Sequence, residues 1–117
     1  MTNTTNTTNI GNRSPERLEF LADILSTAVE GGVNYWCEVS GYRWDDAGTA
    51  RALLTRRGGD RHELTPDVIA RGLGRVLAEE GFADIREANR DNDAGMIDAE
   101  GADVIVQAAL FGEVVYA

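Results

Sequence analysis

The chain has 117 residues and a formal net charge of −9. That is the size of one ordinary domain, since two separate cores would each be too small for comfort. An apolar content of 43% is enough for a core and excludes wholesale disorder, while the acidic balance argues against a generic nucleic-acid binder, which needs a basic surface.

Residues 1–13 form a Thr/Asn tract without apolar periodicity, expected to be a disordered tail ahead of one domain spanning 14–117. Ser14-Pro15-Glu16 is a helix start: a hydroxyl cap, a proline in the first turn, and an acid at the positive end of the dipole. Leu18, Leu21, Ala22, Leu25, Ala28 and Val29 follow at helical spacing, and Phe20 and Ile24 widen the stripe. Gly31-Gly32 is expected to end this helix.

Val33 to Trp44 reads as a strand, rich in β-branched and aromatic residues. A turn at Asp45-Asp46-Ala47-Gly48 returns the chain as a second strand from Thr49 to Arg57, and Gly58-Gly59-Asp60 leads to a short third strand near Arg61–Leu64. Thr65-Pro66-Asp67 repeats the cap-proline-acid signal and opens a second helix, which Gly72 and Gly74 weaken. Phe82 to Asn89 is a further helix candidate, followed by a polar loop to Met96. Asp98 caps a last helix, apolar on nearly every side from Val104 to Phe111, and Glu113 to Tyr116 is a closing strand. The fold class is α+β: an antiparallel hairpin or three-stranded meander over about residues 33–64, a short C-terminal strand, and three to four helices.

No apolar run reaches the length of a membrane span, and no basic start precedes an apolar stretch at the N-terminus. With one cysteine and hence no internal disulfide, the expectation is a cytoplasmic protein that avoids membranes. Charge is uneven. Residues 40–78 carry seven arginines against five acids, and residues 79–117 carry ten acids against two arginines. Such asymmetry guides self-association or partner choice.

Alternate strand residues share a face. Closing the hairpin at Trp44 opposite Thr49 sets Tyr42 opposite Arg51, Glu38 opposite Thr55 and Trp36 opposite Arg57. Val39 and Leu54 then meet on the other, core-facing side, although a bulge at Gly41 would scramble this register. Trp36, Glu38, Tyr42, Trp44, Arg51 and Arg57 are therefore the candidate ligand- or partner-binding residues. Aromatic planes beside guanidinium groups stack a flat ring and hold an anion. The competing reading is a structural set of cation–π pairs covered by a helix or a second subunit.

Enzyme chemistry finds little support. Cys37 falls on the apolar face and His62 near a hairpin end, so an inert core thiol is the better reading than a Cys–His pair. No Cys/His group suits zinc. Asn89 to Glu100 echoes a calcium loop but has Ala94 where the sharp turn needs glycine. Neither a metal nor a cofactor is expected.

Glu30-Gly31-Gly32-Val33-Asn34-Tyr35-Trp36, Leu64 to Gly72, Asp98-Ala99-Glu100 and Asp103 to Gln107 through Leu110 to Tyr116 resemble a family of small proteins from actinobacteria and their phages. The resemblance covers most of the chain after the tail. It implies a setting and no activity or site residues. The leading expectation is a non-enzymatic accessory binding protein of phage or mobile-element type, a homo-oligomer that binds a small anionic, nucleotide-like ligand or a host protein. One alternative is an acidic DNA-mimic decoy against a DNA-binding enzyme. The other is a dimeric structural or regulatory module joined through its apolar first helix.

Overall fold

A computed structural model describes residues 13–45 and 49–117. The predicted tail up to residue 12 and the middle of the first hairpin turn, Asp46 to Gly48, lie outside the described residues.

The chain is α+β, with four α-helices and a three-stranded antiparallel sheet among the described residues. The order is α1 (Pro15–Thr27), β1 (Cys37–Trp44), β2 (Ala50–Arg56), β3 (Arg61–Leu64), α2 (Pro66–Leu77), α3 (Ala83–Asp91) and α4 (Ala99–Phe111). Local caps begin three of the helices as their residues dictate. Ser14 accepts from the Arg17 amide, Thr65 from Val68 and Asp98 from Gly101, which satisfies donors that a helix leaves orphaned. α1 does not stop at the glycines by a simple cap. It widens into a π-helical turn over Ala28–Gly32, and a side chain at Gly32 would meet the Ala99 carbonyl oxygen at 2.7 Å.

α1 packs on β2 and on α2 and α4, which pack on each other, and together they bury Phe20, Leu21, Ile24, Leu25, Ile69, Leu73, Ile105 and Val106 with Leu54 and Leu64. The surplus apolar stripe of α1 is thus consumed within one chain. α4 is central, as its all-round apolarity implies. Arg75 of α2 donates to the Ala108 and Ala109 carbonyls at 2.7 and 2.9 Å, filling acceptors that the end of α4 leaves open. Arg17 of α1 ties to α3 through the Asn89 carbonyl at 3.3 Å and side chain at 2.6 Å. No helix among the described residues is long and apolar enough to cross a membrane.

Three expectations about the strands need correction. The strand predicted from Val33 begins only at Cys37, because the amides of Trp36 and Cys37 both return to the Val33 carbonyl in a turn. The predicted register holds from Glu38–Thr55 to Val39–Leu54, then slips by one residue to pair Arg43 with Arg51 and Trp44 with Ala50. The extra residue lies by Gly41, whose φ of +62° only glycine adopts freely. Glu113–Tyr116, expected as a closing strand, is paired with no strand among the described residues.

Close packing compensates for glycine in α2 at one position only. A β-carbon at Gly72 would lie 2.1 Å from the Ile105 carbonyl oxygen, whereas at Gly74 it would touch nothing within 4 Å. Gly72→Ala should therefore lower the unfolding free energy by about 1–3 kcal/mol through overpacking. Gly74→Ala should raise it by about 0.5–1 kcal/mol by removing backbone entropy from the unfolded chain. Urea unfolding of the two variants side by side checks the opposite signs.

Candidate functional site at the end of the first hairpin

The turn before β1 drives Trp36 inward, and only 3% of its surface is exposed. A buried indole needs a partner for its N–H. Trp36 Nε1 donates to Asp103 Oδ1 at 2.8 Å, across 67 residues of sequence. Asp103, on α4, is itself only 6% exposed. Its other oxygen accepts from the Tyr35 hydroxyl at 2.6 Å, and Gln107 Nε2 adds a bond to Oδ1 at 2.9 Å.

Gln107 does more than support Asp103. Its side-chain oxygen accepts from the backbone amides of Val115 and Tyr116 at 2.7 and 2.8 Å, and its Nε2 lies 3.1 Å from the Tyr116 carbonyl oxygen. One buried amide thus supplies the hydrogen bonds that a neighbouring strand would give an extended segment. The Tyr116 ring lies flat on Trp36, with centroids 5.0 Å apart and planes 4° apart. Arg56 donates to Tyr116 Oη at 3.1 Å and sits over the Phe111 ring at 4.6 Å.

Beside this cluster a cleft of about 380 Å³ opens at the end of β1 and β2. It is lined by Asn34, Tyr35, Trp36, Cys37 and Glu38 from the start of β1 and the turn before it, and by Thr55, Arg56 and Arg57 from the end of β2. Half of the Tyr35 surface is exposed, although its hydroxyl end is held at Asp103. Burial of that end, then the Asp103 carboxylate, raise the phenol above its usual pKa. Arg56 is committed to Tyr116 and Asp60. Arg57 is exposed and has no ion-pair or hydrogen-bond partner among the described residues.

The cleft leads onto the sheet face that no helix among the described residues covers. Its cross-strand rungs are Glu38–Thr55–Arg61, Ser40–Leu53–Glu63 and Arg43–Arg51. The outer residues of the rungs, Glu38, Arg61, Ser40, Glu63, Arg43 and Arg51, are all polar or charged and exposed, which marks this face as solvent-facing. Arg43 directly opposite Arg51 is an unfavourable like-charge pair. Glu63 pairs with Arg51 and leaves Arg43 without an acid partner among the described residues.

The six predicted site residues therefore separate into two groups. Trp36, Glu38 and Arg57 line the cleft, with Trp36 in its buried wall and off the outer face where the simple alternation put it. Tyr42, Trp44 and Arg51 stand beyond the bulge at the other end of the hairpin. The slip turns Tyr42 toward α1, where its hydroxyl donates to Ser26 Oγ at 2.7 Å and accepts from Trp44 Nε1 at 2.9 Å. Trp44 is 45% exposed above that contact. Arg51 remains outward, facing Arg43 where Tyr42 was expected.

Tyr35, Arg56, Asp103, Gln107 and Tyr116 were not singled out from sequence. The available signal was Asp103 and Gln107, two polar residues four apart in the otherwise apolar run from Ala102 to Phe111, the spacing of a shared buried partner. Cys37 Sγ donates to the Val33 carbonyl at 3.4 Å, and His62 packs edge-on to Phe111 at 5.8 Å, so the two form no nucleophile–base pair. Among the described residues no three His, Cys, Asp or Glu are grouped to hold a metal. The calcium-like stretch is divided between the end of α3, a 3₁₀ turn at Ala94–Met96 and the cap of α4.

No protein-family model matches the chain, and neither a curated protein nor a solved structure does.

Burial, and then the charge of Asp103, push the Cys37 thiol up to about 11. It should stay protonated at pH 8, and iodoacetamide should modify the folded protein far more slowly than the urea-unfolded chain. Replacing Gln107 by alanine should cost about 1–3 kcal/mol, because Asp103 and two backbone amides lose a buried partner. Hydrogen exchange should accelerate at Val115 and Tyr116 while the α2 amides keep their protection.

Proposed function

We propose that this chain is a non-catalytic binding protein that holds a small anionic ligand of nucleotide type in the cleft between Tyr35 and Arg57. One observation carries the reading: an exposed guanidinium with no acid partner among the described residues and a half-exposed aromatic ring line the same cleft. A guanidinium in this position offers a fork of donors to a phosphate or carboxylate, and the Tyr35 ring offers a surface for a planar group. The cleft volume falls within the range of about 300–1,000 Å³ typical of small-molecule sites.

The wider sheet face supports the same sign of ligand. Arg43, Arg51, Arg57 and Arg61 outnumber Glu38 and Glu63 there, in a molecule whose net charge is −9. Such a local excess draws anions toward one face and leaves the remainder repulsive to them. The resemblance of the sequence motifs to small actinobacterial and phage proteins supplies the setting, that of an accessory protein of a phage or mobile element acting in the cytoplasm.

A protein partner is the second reading, favoured by the exposed acids that continue from Glu79 through Glu100. These would suit a decoy that presents carboxylates to a DNA-binding enzyme. The dimer reading loses its original motive, because Phe20, Leu21, Ile24 and Leu25 are spent inside the monomer.

A thermal-shift and calorimetric titration with mono-, di- and cyclic nucleotides tests the proposal. A ligand bound only by the folded state at a hundredfold excess over its Kd adds about 2.7 kcal/mol to stability. Arg57→Ala should remove the shift and leave the ligand-free melting temperature unchanged, while Arg51→Ala should retain it. A shift lost only in the Arg51 variant would move the site to the other end of the hairpin; no shift with any nucleotide would remove this ligand class.

A further inference from the structure

A second cleft, which shares no lining residue with the one at Arg57 and is independent of the reading given to it, lies between the first turns of α3 and α4. It encloses about 390 Å³, with Ile85, Met96 and Val104 among the residues that line it. Phe82 stands at its lip, 39% exposed. That ring is displayed by an unusual backbone: Phe82 has φ 57° and ψ 47°, the left-handed region that glycine tolerates and a bulky residue does not. Phe82 also starts α3 without a side-chain cap, so the position serves neither helix propensity nor capping. A strained conformation that keeps a large aromatic half in water points to use of that aromatic.

The rim is acidic. Asp84, Asp98 and Glu100 border the cleft. Asp98 spends one oxygen on the Gly101 amide, and Asp84 and Glu100 have no hydrogen-bond or ion-pair partner among the described residues. The two arginines of this half do not neutralise them. Arg86 turns back to the Gly81 carbonyl at 2.8 Å and to that of Glu79, and Arg90 pairs with Asp91 and Glu87. What complements an apolar floor with an unneutralised carboxylate rim is an apolar stripe flanked by lysine or arginine.

We infer that this cleft is a docking groove for a basic amphipathic helix of a partner protein, anchored by its apolar side chains between Phe82 and Met96 and steered by Asp84 and Glu100. Met96 suits the role, because a flexible thioether adapts to the shape that enters. The partner class differs from the anionic ligand at Arg57 in charge and in size, so the two sites do not compete.

Fluorescence anisotropy with the full chain and synthetic peptides about four helical turns long tests the inference. The probe carries leucine on one helical face and lysine on the other. One control replaces lysine by glutamate, and a second replaces leucine by serine. The Leu/Lys peptide should bind, with both controls weaker by roughly tenfold or more. Phe82→Gly should weaken it by a similar factor while the melting temperature holds or rises, since glycine relieves the left-handed strain. The double substitution Asp84→Asn with Glu100→Gln should weaken it and flatten its salt dependence. Absence of Leu/Lys binding, equal binding of either control, or full affinity in the Phe82→Gly protein would each overturn the groove.

Discussion

Asp103 is a carboxylate almost wholly removed from water, and the three donors that reach it are neutral: the Tyr35 hydroxyl, the Trp36 indole and the Gln107 amide. Burying a charge is costly unless its hydrogen bonds are met, so these three groups are not free to point elsewhere. From that constraint much of the hairpin end follows. Trp36 must turn inward, which delays the start of β1 and opens the cleft beside it. Gln107 must lie across the Asp103 oxygens, which leaves its carbonyl free for the Val115 and Tyr116 amides. Tyr116 is then laid on Trp36, and Arg56 is drawn to its hydroxyl. Arg57, next in sequence, is left in the cleft without an ion-pair or hydrogen-bond partner among the described residues.

The helices were legible because their signals are local. Ser14-Pro15-Glu16, Thr65-Pro66-Asp67 and Asp98 each act within one turn of the amide they cap, and the structure places a helix after each. The three-stranded sheet followed from strand propensity and the Gly58-Gly59 turn, as did the pairing of Glu38 with Thr55. The candidate face was half legible. Its register near Glu38 was right, but simple alternation could not place Trp36, whose position is decided by an acid 67 residues away. Nor could it carry Tyr42 across the bulge. Glu113–Tyr116 has the composition of a strand, yet its backbone is satisfied by one side chain and not by a ladder, a choice that strand propensity does not register.

Charge is sorted along the chain as it is in space. The arginine-rich middle of the sequence supplies the uncovered face of the sheet, while the acid-rich final third supplies α3 and the start of α4. Opposite signs on separate elements give one small domain two surfaces of contrary preference. This division underlies the two proposed contacts, an anion at Arg57 and a basic helix at Phe82.

The irregularity at Gly41 sets the phase of the whole hairpin. Before it, odd-numbered side chains such as Cys37 and Val39 face the helices; after it, the even-numbered Tyr42 and Trp44 do. β1 is therefore two half-strands written in opposite parity. A relative that lost one residue here would need to exchange its aromatic and arginine positions downstream to keep the same surface. Length variation in β1 would thus be coupled to a swap in residue pattern, and an alignment that ignored the bulge would pair inward residues with outward ones.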